Sequence, residues 1–171
     1  DNGCFMLKNT VSKNILKDKI ALTNLDEFSR IFSGEFIPHM LDCQWFFTSK
    51  SCKDILSYLL SNSMFLDKKT IVFLGSPFLG FCASTLLKDC EIIIMDVDVY
   101  VLEVINKFKL NNVKTFHYDV QYPVEKKFYN TADIVFFDPP WYLNYYDIFI
   151  KRASFMLNEG GVLSFALFPL L

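Results

Sequence analysis

From Thr70 onward the apolar residues fall into two alternating patterns. Val113 to His117 is read as a strand, and three short, almost wholly apolar runs, Ile71-Val72-Phe73-Leu74, Glu91 to Met95 and Ala132 to Phe137, lack the polar alternation of a half-exposed strand. They read as parallel strands buried on both faces. Between them lie stretches with helical spacing, Phe78 to Leu87, Val99 to Phe108 and Tyr145 to Leu157. Gly160-Gly161 then predicts a turn into a last strand over Val162 to Leu167. This β-α-β-α order predicts an α/β fold: a parallel sheet with right-handed crossovers and the first strand at its centre.

Upstream, Ser51-x-x-Asp54 has the form of a capping box opening a helix through Leu60. Ile55, Leu56, Leu59 and Leu60 share one face of it. Before that, Lys8, Lys13, Lys17 and Lys19 interleave with Leu7, Val11, Ile15, Leu16 and Ile20. The pattern is amphipathic. A packed or oligomer-forming helix with a solvated lysine face is favoured over a membrane-surface or nucleic-acid helix. Leu25 to Ile31 form a second helical stretch, and Gly34 and Pro38 mark a break. The organisation expected is a small helical segment over 1–42 and an α/β domain over 43–171.

Composition narrows the classes. At 171 residues, with 52% hydrophobic and 21% charged residues, the chain suits one globular domain. Its net charge of −2 supplies none of the basic excess with which a domain holds duplex nucleic acid unaided. Lys126-Lys127 and Lys151-Arg152 read as solvated faces. The 5 cysteines include no C-x-x-C pair, so neither a zinc site nor a disulfide framework is indicated, and a reducing cytoplasmic setting is expected. His39 and His117 are far apart, so no metal is expected. No signal peptide is read, and no apolar run approaches the ~18 residues that span a bilayer.

Candidate chemistry gathers where the predicted strands end. Asp138-Pro139-Pro140-Trp141 follows the fourth strand. Two prolines remove two N–H donors and stiffen the chain while their carbonyls stay available as acceptors. A carboxylate, a fixed carbonyl and an aromatic face together make a socket for an amino group. The plainer alternative is an Asp-Pro turn with a buried Trp141. After the first strand, Gly75-Ser76-Pro77 permits a tight turn and a proline in the first helical turn. Asp96 closes the second strand, where a carboxylate typically accepts hydrogen bonds from ribose hydroxyls. Asp119 closes the third, placed to reach an adenine edge. Asp98 reads as the cap of the next helix.

These residues resemble the S-adenosylmethionine-dependent methyltransferase superfamily over Thr70 to Leu167. The resemblance implies a Rossmann-like fold reaching about its fifth strand, so that the chain is expected to be C-terminally truncated or a minimal variant. It implies cofactor contacts at Gly75, Ser76, Asp96 and Asp119, and acceptor chemistry at Asp138, Pro139 and Trp141, the last group matching D-P-P-[YFW] of enzymes that modify amino nitrogens. Within the superfamily the chain is most similar to the branched-chain polyamine synthases, also through Asp42-Cys43-Gln44-Trp45-Phe46-Phe47-Thr48, Met95-Asp96-Val97-Asp98 and Tyr118-Asp119-Val120. It departs from them at Gly75-Ser76-Pro77-Phe78, where those synthases carry Gly-Asp-Asp-Asp. The implied activity is transfer of a methyl or aminopropyl group from S-adenosylmethionine, or its decarboxylated form, to a small-molecule amine. An adenine or cytosine amino-methyltransferase acting on nucleic acid, and a non-catalytic nucleoside-binding module of an oligomer or larger assembly, are the alternatives.

Overall fold

The computed structural model describes residues 47–62 and 69–167. The helical segment expected over 1–42, the domain boundary at 42/43 and the 42–46 part of the upstream resemblance lie outside the described residues.

Helix α1 (Ser49–Asn62) is followed by β1 (Thr70–Leu74), α2 (Pro77–Leu86), β2 (Glu91–Asp96), α3 (Val99–Lys107), β3 (Val113–His117), a 3-10 turn (Lys126–Phe128), β4 (Ala132–Phe137), α4 (Leu143–Met156) and β5 (Leu157–Phe165). The sheet order is β3-β2-β1-β4-β5, and every pairing is parallel. The first strand is central, as the pattern predicts. The order reverses between β1 and β4, the position at which open α/β sheets bind ligands.

The unbroken apolar runs follow from burial on both faces. Ile71, Phe73, Ile92, Ile94, Ile134 and Phe136 pack into one core with α1, α2 and α3. Their strand neighbours Val72, Leu74, Ile93, Met95, Val135 and Phe137 pack into a second core with α4. Successive residues point to opposite faces, so a strand covered on both sides needs an apolar residue at every position. Helix α2 approaches very closely: a Cβ on Gly80 would stand 2.8 Å from Ile94 Cγ1 and 3.0 Å from Phe73 Cβ. Glycine there permits the helix to lie directly on β1 and β2.

Three local expectations change. Helix α1 begins before Ser51: Thr48 supplies the capping hydroxyl, its Oγ1 accepting the Ser51 amide at 3.2 Å. Asp54 instead accepts from Lys50 Nζ at 2.8 Å, one helical turn away. The glycines Gly160-Gly161 lie inside β5 as an irregularity, with pairing stepping from Ala132–Leu157 to Ile134–Val162. The left-handed Gly160, at φ +76, absorbs the extra chain within the strand. Asp119 lies two residues past the end of β3, because that strand stops at His117. Among the described residues no helix is long and apolar enough to cross a membrane.

Candidate functional site at the sheet's C-terminal edge

Sheet register brings the site residues to one level. Leu74 is aligned with both Met95 and Phe137, and Asp96 with His117. The next residues, Gly75 after β1 and Asp138 after β4, therefore emerge side by side at the reversal of strand order, with Asp96 alongside. The ladder continues slightly past the strands: the Gly75 amide donates to the Met95 carbonyl at 2.8 Å, and the Tyr118 amide to the Asp96 carbonyl at 2.9 Å. Gly75 takes φ +62, and a Cβ there would lie 3.1 Å from Phe149 Cε1 and 3.6 Å from the Asp138 carbonyl oxygen. The β1 turn and the Asp-Pro-Pro turn are thus packed together, and a side chain at Gly75 would be strained by the positive φ and would press on the Phe149 ring.

Burial of Asp138 penalises its charged form and pushes its pKa up to about 6. Pro139 behind it is buried. The Pro140 carbonyl closes the following turn by accepting the Tyr142 amide at 2.7 Å, and among the described residues no hydrogen bond occupies the Pro139 carbonyl. Trp141 is 48% exposed rather than buried, so the plainer reading of a core tryptophan does not hold. Tyr142 and Leu143 are exposed beside it. Tyr146 belongs to the core, with its hydroxyl donating to the Ala166 carbonyl at 3.2 Å.

On the other side of Gly75, Asp96 is the last residue of β2 and only 2% exposed. Its Oδ1 accepts the Asp98 amide at 2.8 Å. Asp98 caps α3 as expected, accepting the Tyr100 amide at 2.9 Å and the Val101 amide at 3.3 Å. Asp119 lies in the loop after β3, where its Oδ1 accepts the Gln121 amide at 2.9 Å. Ser76 is buried with its Oγ turned back toward the Leu74 carbonyl, so it faces the site through its backbone.

Of the basic residues that read as solvated, Lys127 is exposed as expected, while Arg152 is half-buried against backbone carbonyls. Arg152 on α4 donates from Nε to the Val120 carbonyl at 2.9 Å and from Nη2 to the Gln121 carbonyl at 3.1 Å. Lys127 lies 4.9 Å from the Phe128 ring centroid and 5.4 Å from that of Phe116, and pairs with Glu125. No sequence pattern announces the Arg152 contacts, because both partners are backbone carbonyls remote in sequence. Among the described residues no group of three His, Cys, Asp or Glu side chains could hold a metal ion.

This donor set fits adenosylmethionine. Carboxylates at the end of β2 and past β3 suit ribose hydroxyls and an adenine amino group, a side-chain-free turn lies over β1, and acidic groups favour a sulfonium cation. Asp96 would need its covering side chains to shift, since it is buried in this conformation.

Comparison with known proteins agrees with the fold. A branched-chain polyamine synthase from Thermus thermophilus, solved with N4-aminopropylspermidine and 5'-methylthioadenosine, superposes with a TM-score of 0.65 at 18% identity, over 80% of this chain and 40% of that one. Coclaurine N-methyltransferase bound to N-methylheliamine and SAH gives a TM-score of 0.57 at 16% identity, over 89% of this chain and 51% of that one. An uncharacterized protein of Methanocaldococcus jannaschii is 27% identical over 101 residues, 57% of this chain. The chain spans only 26% of that relative's length. The family described as Probable N6-adenine methyltransferase matches residues 40–157, the greater part of the sequence. The chain belongs to that family and has the Rossmann-like methyltransferase fold that its strand-end residues imply.

Proposed function

We propose that this chain is the core of an S-adenosylmethionine-dependent transferase that methylates an amino nitrogen, with an aliphatic amine as acceptor. The observation that carries the reading is Asp138: a desolvated carboxyl of raised pKa beside Gly75, at the reversal of strand order. Adenosylmethionine bound there supplies a carbon made electrophilic by its sulfonium. Asp96 and Asp119 would hold its ribose and adenine, with Gly75 and Ser76 meeting it through their backbone.

Asp138 accepts a hydrogen bond from the acceptor amine and takes its proton, either freeing the lone pair or removing the charge that develops on nitrogen. A carboxylate with a pKa near 6 is mostly ionised at neutral pH and more basic than an ordinary aspartate, which suits both tasks. The Pro139 carbonyl accepts a second N–H and so fixes the direction of the lone pair. Trp141 offers a ring face to the acceptor. Methyl is preferred to aminopropyl because Ser76, Pro77 and Phe78 replace the acidic residues that would hold a polycationic chain.

A second reading, methylation of an adenine amino group, is favoured by the description of the family and by the half-exposed ring of Trp141 after the Asp-Pro-Pro turn. The amine reading fits the electrostatics better. The chain is net negative, and Arg152 is turned onto backbone carbonyls rather than offered to phosphates. Among the described residues Cys52, Cys82 and Cys90 are buried and form no disulfide, in keeping with a reducing, cytoplasmic setting.

The test is transfer from methyl-labelled adenosylmethionine to aliphatic amines and to adenine-containing oligonucleotides, with decarboxylated adenosylmethionine as a parallel donor. Label on an amine supports the reading. Label on the oligonucleotide alone, or transfer from the decarboxylated donor alone, overturns it.

A further inference from the structure

We propose that Arg152 is a positioning residue that sets the conformation of Asp119, so that the helix following the acceptor socket also holds the adenine side of the site. The inference rests on the cofactor reading above and concerns a residue that touches neither substrate nor cofactor. Arg152 lies on α4, which begins just after Asp138-Pro139-Pro140-Trp141, while Asp119 lies beyond β3 at the far edge of the sheet.

The relay runs through two successive peptide planes. A trans peptide is planar, so a carbonyl and the following N–H point in opposite directions. Arg152 Nε holds the Val120 carbonyl at 2.9 Å, and the amide of that same plane, Gln121 N–H, is thereby aimed at Asp119 Oδ1, which it reaches at 2.9 Å. Arg152 Nη2 holds the Gln121 carbonyl at 3.1 Å, and the amide of that plane, Tyr122 N–H, donates to the Asp119 main-chain carbonyl at 3.0 Å. One guanidinium fork thus fixes two planes, and both of their N–H groups end on Asp119: one on its side chain, the other on its backbone.

Two further contacts leave the loop little freedom. Val120 is buried in the second core, and the Tyr118 hydroxyl donates to the Tyr122 carbonyl at 2.9 Å. The guanidinium meets carbonyls rather than a carboxylate, so its contribution is geometric. A lysine, with one ammonium and no fixed fork, cannot hold both planes in the same way.

The experiment is a double-mutant cycle on the full chain, read by calorimetric titration with S-adenosylhomocysteine. The variants are Arg152→Ala, Asp119→Ala and their combination, with exposed Lys151→Ala as the control. We expect Arg152→Ala and Asp119→Ala each to weaken binding about tenfold. The double variant should also lose about tenfold rather than about a hundredfold, because both substitutions remove one interaction. Arg152→Lys should lose about threefold, and Lys151→Ala nothing. Should Arg152→Ala fail to fold, Arg152→Lys carries the cycle with Asp119→Ala. Additive losses, or unaltered binding by the Arg152 variants, overturn the role of Arg152 while leaving the cofactor reading intact. Absence of binding by the unaltered protein overturns the cofactor reading, and this inference with it.

Discussion

Replacing Asp138 by Asn tests function and stability at the same residue, with opposite expected signs. The carboxyl is pushed from its ordinary 3.8 to about 6 by burial. That gap corresponds to about 3 kcal/mol of penalty on the ionised form. Partial solvent access and the polar cost of the amide that replaces it reduce the usable figure to about 1–2 kcal/mol. The folded state binds the proton more tightly than the unfolded chain does, so the penalty is absent below about pH 4 and complete above about pH 6. Asp138→Asn is therefore expected to be more stable than the unaltered protein at pH 8, and nearly equal to it at pH 4. Urea unfolding across that range measures the difference. In single-turnover assays the same variant should lose at least about a hundredfold in rate, since the amide cannot accept the proton. Its affinity for S-adenosylhomocysteine should remain within about twofold, because the contact belongs to the acceptor side. The unaltered enzyme should gain activity as pH rises through about 6, as Asp138 ionises. Near-normal turnover by the variant, or a stability difference independent of pH, would refute the assignment.

Further outcomes follow from neighbouring geometry. Asp98→Ala should lower stability by about 1 kcal/mol through loss of its two capping bonds, with cofactor affinity unaltered. Asp96→Ala should weaken S-adenosylhomocysteine binding by at least about tenfold in the same titration, and equal effects on binding would mean that the ribose contact is misplaced. Gly80→Ala should destabilise by about 1–3 kcal/mol in urea unfolding, since its Cβ would meet Ile94 and the rigid Phe73 Cβ. A stabilising result there would contradict the close approach of α2. At Asp133, desolvation is outweighed by hydrogen bonds from the Thr70 amide and Lys69 and by the Lys69 charge, so its carboxyl lies below its ordinary pKa. Asp133→Ala should cost about 1 kcal/mol at neutral pH. That difference should shrink as the pH falls below about 4, through the depressed folded value, and pH-dependent unfolding of both proteins checks it.

The parts of this fold legible in the sequence are those written by burial. Every position of β1 and β4 past its first residues faces one core or the other, so an unbroken apolar run marks them. Asp96 and Asp138 were legible because the apolar runs of β2 and β4 end abruptly, Asp119 was misplaced because β3 is polar and stops at His117, and Asp98 was recognisable as a cap by its place before Val99. What escaped was set by partners remote in sequence. Arg152 takes its role from two carbonyls some thirty positions away, and no charge pattern encodes a backbone acceptor. The glycines at 160 and 161 have the composition of a turn, yet pairing with β4 draws them into the strand. The capping box at Ser51 failed by a similar margin, since Thr48 lies one turn earlier and carries the same hydroxyl chemistry.

The two short backbone bonds that carry the ladder past β1 and β3 give the halves of the site different durability. Gly75 and Tyr118 hang on Met95 and Asp96 as the next rungs of the sheet. Their amides should exchange with solvent deuterium only when the whole domain opens, so that the donor half persists as long as the fold does. Trp141 and Tyr142 lie in the turn before α4 and Leu143 is the first residue of that helix, and all three are exposed to solvent. Substitution there leaves the sheet untouched. If the proposed division of the site holds, substitutions at these three rim positions should change the choice of acceptor while leaving the ladder that holds the donor half in place.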